Sequence, residues 1–171
     1  MRRILPISFL AMAAPIAAMS ATCGVPLEAR FVEGAPVDRF VITNTGASAL
    51  DVTEISLDLA PSKGRLIFDT VGGGAGVEVF QPFRSDAGIL AVADGAEMLS
   101  LPLAGLPSGA KVSFTIDVDD RLTASELGQI RVSGSEMQGA QMAFTVAGKG
   151  YTATFDAQNV ARIAPTCGDN A

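Results

Sequence analysis

From Lys111 to Asp119 polar and apolar residues alternate without a break. Val112, Phe114, Ile116 and Val118 stand against Lys111, Ser113, Thr115, Asp117 and Asp119. Successive side chains of a strand point to opposite faces, so this stretch predicts a strand with one core face and one polar face. The same period recurs elsewhere. Phe40 and Ile42 share a side of a strand over Arg39–Asn44. In Leu50–Leu59 the residues Thr53, Ile55, Leu57 and Leu59 share one side, and Glu54, Ser56 and Asp58 the other. Met142, Phe144 and Val146, then Tyr151, Ala153 and Phe155, alternate on either side of Gly148–Gly150, the pattern of a hairpin. Shorter strands are expected over Glu28–Glu33, Arg65–Phe68, Val77–Phe80, Leu99–Leu103 and Val160–Ile163, with weaker alternation over Ile130–Ser133.

Pro and Gly interrupt these runs about every 8–15 residues, as turns between many short strands do. No amphipathic stretch has the length of an ordinary helix. Thr123–Glu126 has the form of a capping box and predicts one helical turn, cut short by Gly128. The glycines around Val71–Gly76 precede a strand rather than a helix and carry no Lys, which argues against a phosphate loop. One-sided alternation implies antiparallel sheets packed face to face. The predicted class is all-β, a single antiparallel β-sandwich of immunoglobulin-like type, with a jelly roll as the alternative.

Composition adds a leader and a compartment. Arg2 and Arg3 precede an uncharged apolar run from Ile4 to Met19 that ends in small residues. This is the layout of a signal peptide over residues 1–20, followed by one domain over 21–171. The run is short and holds Pro6 and Pro15, which argues against a membrane span; lipidation at Cys23 is a third reading. Without Arg2 and Arg3 the net charge falls from -6 to -8, which disfavours nucleic acid as a partner. The expected location is secreted, periplasmic or extracellular. In that oxidising setting Cys23 and Cys167 are expected to form a disulfide joining the two ends, two unrelated thiols being the alternative.

The chain has no histidine, which removes Ser-His-Asp and Cys-His catalysis and His metal sites together. The remaining chemistry is carboxylate chemistry. Asp117 and Asp119 project to one side of their strand, about 7 Å apart, and Asp120 follows at once. A strand imposes that spacing anywhere, so a carboxylate-based hydrolase is a weak reading, and few aromatics are available to hold a sugar. Three clustered carboxylates fit a hard cation such as Ca²⁺ better, with further oxygens expected from Glu54 or Asp58 if the two strands are neighbours. The plain alternative is a solvated acidic strand end.

Thr43–Gly46, Ile55–Leu59, Gly76–Phe83, Phe114–Asp120 and Val132–Gly139, in that order, resemble small secreted bacterial proteins described as aggregation-factor core proteins, named for likeness to the core of sponge aggregation factors. In sponges that core belongs to calcium-dependent extracellular assemblies. An enzyme is not expected; the resemblance implies an extracellular or periplasmic adhesion-type module here. Its partner would be an extracellular protein or glycan, or a second copy of the chain. The sequence has no Asn-x-Ser/Thr acceptor, so N-linked glycans are not expected. A structural subunit assembling through sheet edges is the competing expectation.

Overall fold

The computed structural model describes residues 24–34, 37–72, 81–122 and 131–163. Within them the chain forms antiparallel sheets packed against each other, an all-β sandwich. One sheet has the order β11-β1-β2-β7-β5 and contains β1 (Leu27–Val32), β2 (Asp38–Asn44), β5 (Arg84–Ser85), β7 (Lys111–Ile116) and β11 (Val160–Arg162). The other has the order β10-β9-β3-β6 and contains β3 (Val52–Asp58), β6 (Met98–Pro102), β9 (Gln141–Val146) and β10 (Lys149–Thr154). A two-stranded ladder joins β4 (Ile67–Phe68) to β8 (Val118–Asp119). No described helix is long and apolar enough to cross a membrane.

The inward residues of each alternating run make the core. Phe31, Phe40 and Phe114 lie in one register row across β1, β2 and β7. Phe40 stacks on Phe114 at 4.9 Å between ring centres and meets Phe31 at 5.2 Å. Phe83 extends the stack onto Phe114, and Phe155 meets Phe40 edge-on at 6.3 Å. Ring contacts of this kind add to the area they bury. Ile55, Leu57, Leu99, Leu101, Met142 and Phe144 are buried on the facing sheet.

Several expected elements are shifted for local reasons. The hairpin turns at Ala147 and Gly148, both at positive φ (48° and 75°), not over Gly148–Gly150. Two left-handed residues match the twist of a two-residue hairpin loop, so Lys149 pairs with Val146. A bulge between Val52 and Glu54 resets the phase of β3. Val52 is therefore buried and Thr53 exposed, the reverse of unbroken alternation. Only Ile67 and Phe68 of the Arg65–Phe68 run are paired, after Arg65 at φ 53°. The expected strand over Ile130–Ser133 is not formed in its described part, 131–133. Ser133 instead caps a short helix, α1 (Gly134–Met137), and exchanges capping-box hydrogen bonds with Glu136.

Asn44 ties the sheets together at one end. Its Nδ2 donates to Ser48 O, Leu106 O and Pro107 O at 2.8, 3.0 and 3.1 Å, and its Oδ1 accepts from Gly46 N at 3.0 Å. At the same end of this sheet, where Leu27 is the register partner of Asn44, the edge strand β11 pairs with β1, and Ile163 N donates to Leu27 O at 3.4 Å. Residues 24 and 163 thus lie at one edge. Cys23, Cys167, the expected leader, the Val77–Phe80 strand and the Thr123–Glu126 turn lie outside the described residues.

Candidate metal centre

The run Lys111–Asp119 is not one strand. β7 pairs with β2 as far as Ile116; the chain then leaves that sheet at Asp117 and re-pairs as β8 with β4. The β4–β8 register sets Ile67 opposite Asp119 and Phe68 opposite Val118. Asp69, the next residue, therefore comes beside Asp117, and its N–H donates to Asp117 O at 3.1 Å. Asp117 and Asp119 are two residues apart on one side, and Asp69 stands across from Asp117. This backbone arrangement brings one carboxylate oxygen from each of Asp69, Asp117 and Asp119 within 4.8 Å of one another.

The three groups are buried rather than solvated. Asp69 is 0%, Asp119 4% and Asp117 9% exposed. The solvated strand end expected as the plain alternative is thus replaced by a buried cluster, because Asp117–Asp120 turn inward beneath β4. Asp69 Oδ2 has no hydrogen-bond partner; Asp69 Oδ1 accepts a long bond from Val71 N at 3.5 Å, and the Asp69 side chain also meets that of Asp94. A buried oxygen with no donor costs free energy unless something positive faces it.

The titration behaviour follows from the crowding. Burial pushes the Asp117 carboxyl up to about 7, helped by the charges of Asp119 and Asp69. Burial and its contact with Asp94 push Asp69 up to about 6. Asp38, at the start of β2, is pushed up to about 8, chiefly by burial and then by Asp117 and Asp119, although its carboxylate accepts from Gly34 N at 3.0 Å. Asp94 reaches in from the exposed side, where its Oδ1 accepts from Thr70 N at 3.1 Å.

The expected trio is therefore revised. Asp117 and Asp119 belong to the cluster. Asp120 is not among the three whose oxygens converge; its Oδ1 accepts from Leu122 N at 2.7 Å, closing a local turn, while its Oδ2 is buried with no hydrogen-bond partner. Asp69 takes the third place. Glu54 and Asp58 are also excluded, since β3 lies in the other sheet and carries them on its outer face. Sequence reading missed Asp69 because only the β4–β8 register, spanning about fifty residues, brings it to Asp117. The one available signal was that Ile67–Asp69 repeats the apolar-then-Asp ending of Val118–Asp119.

The donor set fits a hard cation. Calcium holds oxygens at about 2.3–2.6 Å, so ligands on opposite sides of it are at most about 5 Å apart. Asp69, Asp117 and Asp119 could hold Ca²⁺ with little movement, the other ligands being backbone oxygens or water. The two surface hollows on the five-stranded side are lined by other residues. Comparison with family models, curated proteins and solved structures found no match.

Proposed function

We propose that this chain is a secreted β-sandwich binding or adhesion module stabilised by calcium. The observation supporting the reading is the convergence of Asp69, Asp117 and Asp119, buried, with an oxygen that has no donor. Three like charges in a water-poor site repel one another; a divalent cation turns that repulsion into a clamp between β4 and β8. The resemblance to aggregation-factor core proteins supports the adhesion part of the reading. The Cys23–Cys167 disulfide belongs to the same proposal. Leu27 and Ile163 are hydrogen-bonded partners; Cys23 lies four residues before Leu27 and Cys167 four residues after Ile163.

The deciding experiment is a melting curve in millimolar calcium and in chelator, for the native protein and for Asp69→Asn. A higher melting temperature in calcium, lost in the variant, is expected. Equal melting temperatures for the native protein would refute the cation site, and a shift that survives Asp69→Asn would move it elsewhere.

A further inference from the structure

The exposed face of the five-stranded sheet carries charge of the opposite sign to the chain as a whole. Arg30, Arg39, Arg84, Lys111 and Arg162 all stand on it, five of the twelve basic residues of a chain with net charge -6. The only outward-facing acid on its strands is Glu28, whose carboxylate already contacts both Arg30 (3.4 Å) and Arg162 (2.9 Å); Asp38 of β2 is buried on the other side. Asp86, just beyond β5, stands at the rim. The outer face of the other sheet is different: β3, β6 and β9 carry Glu54 and Asp58 among Ser, Thr, Ala and Gln, and no Lys or Arg.

At the centre of the basic face, Arg39, Thr115 and Arg84 occupy one register row across β2, β7 and β5. The two arginines are thus two strands apart, about 9.6 Å at the backbone. Between them lies a hollow of about 290 Å³, also lined by the hydroxyl residues Ser85 and Ser113. Neither guanidinium has an ion pair among the described residues. Two forked donors flanking a hydroxyl row suit a planar or tetrahedral oxyanion, which each can bind with two N–H groups. Arg30, one row away, and Lys111, two rows away in the row of Glu28 and Arg162, extend the positive field past a single group. Among the described residues no aromatic side chain stands on this face to stack a base, which disfavours single-stranded nucleic acid.

We propose that this face binds a polyanion, one of whose carboxylate or sulfate groups sits between Arg39 and Arg84 over Thr115. The site is on the far side of the sheet from the core and does not depend on the metal centre. The test is binding to dextran sulfate and to polygalacturonate, in chelator and at low salt, by the full secreted protein. Binding to either polymer is expected, weakening as salt screens the charges; the polymer preferred shows whether the group is a sulfate or a carboxylate. Arg39→Ala with Arg84→Ala should weaken it at least about tenfold, and the matching double Lys variant should recover part of the loss. Lys149→Ala, at the hairpin turn of the other sheet, should leave it unchanged. Absence of binding to both polymers, or binding indifferent to the double Ala substitution, would overturn the proposal. So would self-association abolished by Glu54→Lys, which would make a second copy's acidic face the occupant.

Discussion

Asn44 and the Asp69–Asp117–Asp119 cluster are both buried polar sites at turning points of the chain, and they are built on opposite plans. Around Asn44 every polar atom of the side chain is engaged, its amide hydrogens by three carbonyls and its oxygen by an N–H. Nothing further is needed there, and the group holds two turns in place. Around Asp69 and its neighbours the groups brought together are all acceptors of the same charge, and one oxygen has no donor at all. A buried polar group that is satisfied serves the fold; one whose complement is missing from the chain points to a ligand.

Breaking the satisfied site should cost most. Asn44→Ala leaves three carbonyls and Gly46 N–H without their partner, and should lower unfolding stability by about 3 kcal/mol in denaturant titration. A loss under about 1 kcal/mol would mean that water replaces the amide readily and that the contrast is overstated.

The acidic site should reveal itself next, through pH. Asp38, Asp69 and Asp117 have folded-state values raised to about 8, 6 and 7 from an ordinary 3.8. Between about pH 4 and 8 the folded protein therefore holds more protons than the unfolded chain, and stability falls as pH rises. In chelator the melting temperature should decline across that window, and Asp38→Asn should flatten the upper part. A melting temperature that rises from pH 5 to 8 would contradict the buried, crowded state of these groups.

Calcium should act in a smaller range. Secreted modules hold it with Kd of about 10⁻⁴–10⁻³ M, so 1 mM calcium adds about 0.4–1.4 kcal/mol. The shift should be larger at pH 8 than at pH 5.5, because cation and protons compete for the same oxygens. Asp69→Asn in chelator should be more stable than the native protein by about 1 kcal/mol, since it removes a buried charge and supplies a donor. A destabilised variant would show that the carboxylate is already satisfied.

The smallest effect belongs to the helix cap at Ser133. Ser133→Ala deletes the cap that Glu136 N uses and should cost about 0.5–1 kcal/mol, with no change in the calcium shift. Coupling to calcium would join α1 to the metal centre.

The sandwich was legible because a period of two residues is a direct consequence of strand geometry, and the runs at Lys111, Leu50 and Met142 show it plainly. Its exceptions were not. Nothing in the letters of Asp51–Glu54 announces the bulge that turns Thr53 outward. Of the acidic cluster, Asp117 and Asp119 were legible from their spacing alone. Asp120 was wrongly included, because a residue leaving a strand no longer has its side fixed by alternation. Asp69 and the Arg39–Thr115–Arg84 row required register between distant strands, which local patterns do not encode. The capping box at Ser133–Glu136 was as readable as the one at Thr123–Glu126, but the weak alternation around it favoured a strand.

The pairing of β1 with β11 sets an order of events for the newborn chain. Glu28 and Arg162, bonded across the two strands, are 134 positions apart, so the first strand waits for almost all of the sequence before one of its edges is covered. Contacts of such long range close late and slowly. A chain emerging from its N-terminal side would keep one edge of β1 open until residues 160–162 are free to pair with it. Chaperones that bind extended segments have that interval in which to act, and deletion of 160–163 should prolong it indefinitely.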